Sequence, residues 1–168
     1  MVINNNKHQG SSRLNEEVGV LKRREIEAEV LGPLLRKIEL QLGRTKTREL
    51  LQETIIDIAK QQGAELASRS GNPTLASFAS LKEPWMRGGA LEIDVLDKSE
   101  TEYSFNVTRC RYAEMYKKLG LEDLGSLLSC ARDFNMATGF NKRIKLRRTQ
   151  TIMDGASHCD FRYTIENQ

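Results

Sequence analysis

The 168-residue chain lacks the long apolar segments that mark membrane and secreted proteins. No apolar run approaches the roughly 20 residues that a membrane-spanning helix needs. The polar start, residues 1–13, is rich in Asn and Ser and has no apolar centre of a secretory signal. We therefore expect a disordered tail at residues 1–13, a cytoplasmic protein and no membrane partner.

Charge of one sign is also scarce. The chain has 26 Lys and Arg against 23 Asp and Glu, which gives a formal net charge of +3. That excess is too small to indicate nucleic acid as a partner by itself, so we expect none.

Histidine and cysteine are both few. Of the two histidines, His8 lies in the tail, so only His158 is available within a fold. Cys110, Cys130 and Cys159 are an odd number of cysteines in a chain without a secretion signal, which argues against a disulfide framework. Since no two of them form a Cys-x-x-Cys pair, the sequence signal for zinc is weak.

The rest of the composition fits one folded domain. Hydrophobic residues make up 39% of the chain and charged residues 29%, which is ordinary for a globular protein. A chain of this length should bury about 70% of its unfolded surface, enough for a core with an internal pocket. We expect residues 14–168 to form a single α+β domain, with a helical half at 14–84 and a mixed half at 85–168 that carries the site.

The first half has helical periodicity. An apolar stripe runs from Leu14 to Leu42 at spacings of three and four, and Pro33 predicts a kink or break near residues 31–32. Thr45 or Thr47 is expected to cap a second helix that reaches about Ser68. The predicted stripes contain Leu14, Val18, Leu21, Ile26, Val30, Leu34, Ile38 and Leu42, then Leu50, Leu51, Ile55, Ile58 and Leu66. A turn at 70–73 and a short helix at 74–81 follow.

The second half changes to strand periodicity. Alternation at 91–96 and 103–108 predicts a β-hairpin, and helices are expected at 112–120 and 121–140. Residues 142–153 and 157–165 read as two further strands. The predicted fold class is therefore α+β, with N-terminal helices packed on an antiparallel sheet of about four strands and two inserted helices. Trp85 is expected to pack at one end of the core, with a place in the wall of a pocket as the alternative.

Three short segments of this half carry the candidate chemistry, and each contains one cysteine. Cys110 lies at a strand-to-helix junction, Cys130 precedes Asp133 on a helix, and Cys159 lies between His158 and Asp160 at a strand start. Buried cysteine often serves as a small apolar side chain. A nearby imidazole or dipole can instead lower a thiol pKa and make it a nucleophile. His158 and Cys159 are adjacent on a strand and point to opposite faces, which weakens a direct dyad.

The basic run at 141–148 has two interpretations. It predicts a solvated strand with Arg148 turned inward, in preference to a nucleic-acid site. An inward arginine can clamp a carboxylate through its planar fork.

The order of these residues resembles the L-2-amino-thiazoline-4-carboxylic acid hydrolase family. The motifs that carry the resemblance are Cys110-Arg111-Tyr112, Leu119-Gly120 with Leu124, Cys130-x-x-Asp133, Arg148-x-x-Thr151 and Gly155-x-x-x-Cys159-Asp160-Phe161. The similarity spans about residues 25–163, and its specific part is 110–161. It implies a hydrolase of cysteine metabolism that opens a cyclic amidine, such as 2-amino-thiazoline-4-carboxylate, to an N-carbamoyl amino acid.

The implied reaction gives roles to the candidate residues. Water or a thiolate would add to the ring carbon between sulfur and nitrogen, and the adduct would then expel the ring thiolate. Asp133 or Asp160 would pair with the protonated amidine. We expect Cys159 to be the nucleophile, with Cys130 as the next candidate. The predicted catalytic set is Cys159, Cys130, Asp133, Asp160, Cys110 and His158.

The remaining predictions concern substrate binding, cofactors, alternative functions and partners. Arg148 or Arg109 would bind the substrate carboxylate, and no cofactor is expected. Two other functions remain open: a hydrolase in which the cysteines and aspartates bind zinc, and a non-enzymatic module that binds a small ligand or regulates. A homo-oligomer through the N-terminal helices is a further expectation.

Overall fold

A computed structural model describes residues 18–166 of the chain. The predicted tail at 1–13 and the predicted helix start at Leu14 lie outside the described residues. Helices pack on a four-stranded antiparallel sheet, which confirms the predicted α+β class. Within the described residues, no helix is both long enough and apolar enough to cross a membrane.

The elements follow one another in two groups. Before the sheet come α1 Val20–Leu42, α2 Arg44–Ser70, α3 Leu75–Ser80, α4 Glu83–Met86 and a 3-10 turn at Arg87–Gly89. Then follow β1 Leu91–Lys98, β2 Glu102–Cys110, α5 Arg111–Lys118, α6 Glu122–Gly125, a π-helical turn at Ser126–Cys130, α7 Arg132–Phe140, β3 Ile144–Arg147, a 3-10 turn at Ile152–Asp154 and β4 Cys159–Ile165. The strand order in the sheet is β1-β2-β4-β3.

Helix α1 continues through Pro33, so the predicted break near residues 31–32 is wrong. Proline removes one backbone donor and usually kinks or interrupts a helix. Pro33 is exposed, whereas Gly32 is buried so closely that an added Cβ would lie 2.7 Å from Leu121 Cδ1. Packing of the buried face therefore holds the helix together across the missing hydrogen bond.

The middle of the predicted apolar stripe of α1, from Ile26 to Leu34, does not face the core, contrary to the sequence-based expectation, whereas Leu21 is partly buried against it. Ile26, Val30 and Leu34 are 50%, 66% and 48% exposed. The buried residues of the helix are Arg24, Ala28, Gly32 and Leu35. Periodicity shows that a stripe exists, but the small residues decide which face can approach its neighbours closely. The homo-oligomer stays a prediction, and this exposed stripe is its candidate contact.

Helix α2 begins after Gly43, whose φ of 80° favours glycine. The predicted cap at Thr45 or Thr47 is wrong. Thr47 is buried within the first turn of the helix, and its hydroxyl donates to the carbonyl of Gly43 at 2.9 Å. Gly43 itself occupies the N-cap position, so Thr45 and Thr47 both lie inside the helix and neither can cap it.

Helices α2 and α7 cross in close contact, and this crossing sets the position of the site. At Gly63 an added Cβ would lie 2.2 Å from the carbonyl oxygen of Met136. At Gly139 it would lie 2.2 Å from the carbonyl oxygen of Lys60. The two glycines therefore let the backbones touch. The first turn of α7, which carries the candidate Asp133, is fixed by this contact against the N-terminal helices.

The mixed half follows its predicted order with two corrections. The hairpin is confirmed, and Cys159, Phe161 and Tyr163 share the buried face of β4 as expected. The single helix predicted at 121–140 is wrong, because it divides into α6, the π-helical turn and α7. The strand predicted at 142–153 ends at Arg147. It ends there because the Asp160 side chain takes the next backbone N–H groups, those of Thr149 and Gln150.

Candidate functional site

Two adjoining hollows lie between the N-terminal helices and the inner face of the sheet. The apolar hollow, about 100 Å³, is walled mainly by aliphatic and aromatic side chains such as Phe78, Ile93 and Phe105. The polar hollow, about 80 Å³, contains the candidate chemistry. Residues common to both are Trp85, Leu91, Val107, Asp133, Met136 and Phe161. The two hollows therefore meet at Asp133, where an apolar region borders a charged one.

All three cysteines line the polar hollow, although they are far apart in the sequence. Cys110 ends β2 and is the N-cap residue of α5. Cys159 begins β4 and lies opposite Val107 of β2 in the antiparallel pairing of these two strands. Cys130 ends the π-helical turn, where the N–H of Ala131 donates to the carbonyl of Ser126 at 2.9 Å. Such widened turns occur often at functional sites because they re-aim a side chain within a helix.

The three thiols are protonated near neutral pH. Burial raises the pKa of Cys110 to about 11 and the pKa of Cys130 well above its usual value. Burial also raises the pKa of Cys159, although the N–H of Ile152 donates to its sulfur at 3.2 Å. A thiolate nucleophile would therefore need a base to remove its proton.

Asp133 is the carboxylate of the polar hollow, and Arg148 holds it. Arg148 Nη1 donates to Asp133 Oδ2 at 2.5 Å, and Arg148 Nη2 donates to the carbonyl of Cys130 at 3.2 Å. The guanidinium carbon lies 5.0 Å from the ring centroids of both Phe134 and Phe161. These contacts place Arg148 inward, with a side chain only 7% exposed, while the Asp133 side chain keeps 26% exposure.

Burial and pairing act in opposite directions on this carboxyl group. Burial raises the pKa of Asp133, and the charge of Arg148 opposes that rise without cancelling it. Burial alone would lower the pKa of Arg148, but Asp133 outweighs it and the net shift is upward. Arg148 therefore stays charged, and Asp133 is a carboxylate whose proton affinity is increased. That is the property a general base needs.

Asp160, one of the predicted site residues, does not line the polar hollow. The Asp160 carboxylate accepts from the N–H groups of Thr149 and Gln150, each at 2.9 Å, and from the Thr149 hydroxyl at 2.7 Å. Burial would raise the pKa of Asp160, but these hydrogen bonds hold it down at about 2. This carboxylate fixes the end of β3, and the structure gives it no place beside the thiols.

His158 and Arg109 are also separate from the cavity. The imidazole of His158 contacts the side chains of Gln150 and Ser157. Arg109 is exposed and pairs with Glu114 at 2.8 Å and with Glu92 at 3.3 Å. The structure thus brings together the three cysteines, Asp133 and Arg148, and leaves His158, Asp160 and Arg109 outside.

Sequence reasoning missed two arginines that also line the polar hollow. Arg24, on α1, is 4% exposed, and Arg132, at the start of α7, is 8% exposed. Burial and the charge of Arg24 lower the pKa of Arg132 to about 10, so it remains charged at neutral pH. The sequence could have indicated that Arg24 is buried. Arg24, Ala28 and Gly32 recur every four residues, so Arg24 shares a helix face with small residues that can pack closely.

Residues 18–166 offer no ligand set for the zinc-dependent hydrolase that the sequence left open. That part of the chain contains no group of three or more His, Cys, Asp or Glu side chains arranged to hold a metal ion. The cysteines border the hollow from different elements, and the one non-tail histidine is outside it. The donor set of a zinc site is therefore incomplete there.

Comparison with known proteins identifies one family and two similar folds. The family model described as L-2-amino-thiazoline-4-carboxylic acid hydrolase matches residues 23–163. No curated protein sequence matches the chain. Among solved structures, the phenol-responsive sensory domain of the transcription activator PoxR, with phenol, is 15% identical with a TM-score of 0.50. That alignment covers 81% of this chain and 73% of the sensory domain.

The second similar structure is a trafficking protein particle complex subunit 3 from Naegleria fowleri, described as covalently bound to palmitic acid. It is 13% identical with a TM-score of 0.52, and the alignment covers 86% of this chain and 96% of that subunit. At such low identity these two similarities show a shared fold and no more.

Proposed function

Because the chain belongs to the L-2-amino-thiazoline-4-carboxylic acid hydrolase family, we propose that it hydrolyses a small cyclic amidine in the polar hollow. The observation that carries the proposal is Asp133: a carboxylate with raised pKa, held by one arginine, at the junction of the two hollows. The substrate we propose is 2-amino-thiazoline-4-carboxylate or a close analogue, and the product is an N-carbamoyl amino acid with a free thiol.

Asp133 has two tasks in this proposal. A protonated amidine is a planar cation, and a carboxylate in a water-poor site attracts it more strongly than one in bulk water. Protonation of the amidine also makes the carbon between sulfur and nitrogen more electrophilic. Asp133 therefore orients the ring and keeps it in its reactive state, while Arg148 fixes the carboxylate in position.

The chemical step needs only water and the substrate. Asp133 accepts a proton from a water molecule as the water oxygen bonds to the amidine carbon. The tetrahedral adduct then breaks its carbon–sulfur bond, and the proton is returned to the departing sulfur. One water is consumed, and the former ring carbon becomes the carbamoyl carbon, with no change of oxidation state.

The sequence-predicted nucleophile, Cys159, stays a prediction. Its thiol has a raised pKa, as do those of Cys110 and Cys130, and this resting state favours water as the nucleophile. Asp133 is also a candidate base for a thiol route, since it lines the same hollow as all three cysteines. Replacing each cysteine by alanine and measuring turnover separates the two routes.

The direct test of the proposal is incubation of the purified protein with L-2-amino-thiazoline-4-carboxylate. We expect a free thiol to appear together with N-carbamoyl-L-cysteine, identified by mass spectrometry. Asp133→Asn should abolish both signals, and Asp94→Asn, at an exposed position of β1, should not. Binding of the compound without any product would contradict the hydrolase proposal.

A ligand-binding module without turnover is the second candidate, and the apolar hollow favours it. Its walls include Phe78, Tyr103 and Phe105, which suit an apolar or aromatic ligand. The two similar folds are described with phenol and with palmitic acid. The lone tryptophan, Trp85, lines both hollows, so its fluorescence should report such a ligand. A saturable change without product formation would support this candidate over the hydrolase.

A further inference from the structure

Arg132 carries a buried N–H group that has no partner. Its Nε donates to the carbonyl of Leu128 at 2.8 Å, and its Nη2 lies 3.8 Å from Glu27 Oε2. Within the described residues, Nη1 is the buried side-chain nitrogen or oxygen that makes no hydrogen bond. Leaving a charged donor buried and unsatisfied is costly, and native structures seldom do so without a reason.

The charged groups around Arg132 carry an excess of positive charge. Arg24, Arg132 and Arg148 all line the polar hollow. Asp133 is committed to Arg148, and Glu27 is shared because it also pairs with Arg24. Three buried or half-buried guanidinium groups therefore face two carboxylates. An anion in the hollow would restore the balance and satisfy Nη1 at the same time.

Arg148 is poorly placed to be the residue that binds this anion. Its guanidinium already donates to Asp133 and to the carbonyl of Cys130. The rings of Phe134 and Phe161 pack against the faces of the same group. Arg109, the other sequence-based candidate, is exposed and paired with two glutamates. Arg132 alone among the three combines burial, a place in the hollow and an unused donor.

We propose that Arg132, with Arg24 beside it, is the subsite that binds the carboxylate of the ligand. The role concerns the same hollow as the proposed hydrolysis and deepens that function, but the preference for acids does not itself require turnover. A guanidinium presents parallel N–H groups to the two oxygens of a carboxylate, which a neutral ligand cannot match.

The neighbouring positions of Arg132 and Asp133 restrict the class of ligand further. Both residues line the polar hollow, whose volume is only about 80 Å³, so a ligand that contacts both of them must be small. The ligand should therefore carry its carboxylate close to a cationic or hydrogen-bond-donating nitrogen. In 2-amino-thiazoline-4-carboxylate the acid is attached to the carbon next to the ring nitrogen, which meets this requirement.

The test compares acids with analogues that lack the carboxylate, through the fluorescence of Trp85. The probe pairs are L-2-amino-thiazoline-4-carboxylate with 2-amino-2-thiazoline, and benzoate with benzamide. In the wild-type protein we expect each acid to bind at least about tenfold more tightly than its partner without the carboxylate, the effect of one charged hydrogen-bonded contact. Arg132→Gln should reduce that preference to within about twofold. Arg109→Gln, a matched change outside the cavity, should leave it intact.

A second variant protects the test against misfolding. Arg132→Met removes the charge and introduces no new polar group, and buried ions replaced by apolar residues often keep the fold. Equal binding by the wild type of an acid and its partner without the carboxylate, absence of saturable binding by either acid, or a preference that survives in either folded variant would overturn the subsite. If benzoate shows the Arg132-dependent preference and the thiazoline acid is never hydrolysed, the subsite stands and the proposed hydrolysis fails.

Discussion

Two aspartates of the mixed half have opposite environments. Asp133 lies at the polar hollow with one arginine partner, and burial raises its pKa. Asp160 lies in β4 and accepts three hydrogen bonds from the residues that follow β3, which hold its pKa at about 2. The sequence offered both as partners of the amidine. Their surroundings show that one has increased proton affinity beside a cavity, while the other is a satisfied structural group.

The largest difference between the two aspartates is expected when the proposed base, Asp133, is replaced. Asp133→Asn should lower kcat/KM for the thiazoline acid by at least about 100-fold, the range of a lost general base. The variant also leaves Arg148 without its carboxylate, so the melting temperature must be measured alongside. Activity equal to that of the Asp94→Asn control, in a folded protein, would show that Asp133 does not act in the reaction.

The helix crossing that positions Asp133 is expected to have the next largest effect. Gly139→Ala would place a Cβ 2.2 Å from the carbonyl of Lys60, so α2 and α7 must separate. We expect a loss of about 3 kcal/mol in the free energy of unfolding, measured by urea denaturation, together with reduced turnover. Thr138→Ala, one residue earlier and exposed, should change the stability by less than about 0.5 kcal/mol. Equal stability of the two variants would contradict the close crossing.

Asp160 should affect stability and its pH dependence, with little effect on turnover. Its pKa is about 2 in the folded protein against 3.8 in the unfolded chain. A lowered pKa stabilises the fold above the unfolded value, and the contribution is lost as the pH falls from about 4 towards 2. Because Asp160 is partly exposed, solvent screening limits this contribution to about 1 kcal/mol.

Asp160→Asn should flatten the acid limb of the stability curve and keep kcat/KM within about threefold of the wild type, because the substitution leaves Asp133 and Arg148 in place. Unfolding curves at several pH values measure the first effect, and product formation measures the second. A large loss of turnover with an unchanged acid limb would reverse the roles assigned to the two aspartates.

The smallest effect on turnover is expected from the thiols. Single substitutions of Cys110, Cys130 or Cys159 by alanine should keep kcat/KM within about tenfold, because the proposed nucleophile is water. The measurement is the rate of N-carbamoyl-L-cysteine formation by each variant. Abolished turnover in one folded variant, with the other two active, would restore that cysteine as the nucleophile.

Regular patterns in the sequence predicted much of the fold. Alternation identified the hairpin and the buried face of β4, where Cys159 and Phe161 point inward. Both features depend on the two-residue period of a strand, which a linear sequence displays directly. Arg148 also turns inward as predicted, but it lies one residue beyond the end of β3, where its contacts with Asp133 and the carbonyl of Cys130 hold it.

Features set by tertiary contacts were not accessible in the same way. The stripe that includes Val30 has perfect spacing yet is exposed, because Ala28 and Gly32 permit the closer approach. The end of β3 depends on a side chain eleven residues away, Asp160, taking the amide of Thr149. Arg132 gave no signal at all, because a charged residue in a sequence is ordinarily assigned to the surface.

The most direct measurement is product analysis by mass spectrometry after incubation of the protein with L-2-amino-thiazoline-4-carboxylate, with Asp133→Asn in parallel. We expect N-carbamoyl-L-cysteine from the wild type and none above the uncatalysed rate from the variant. A wild type that binds the compound, as reported by Trp85, and returns it unchanged would rule out hydrolysis at this site.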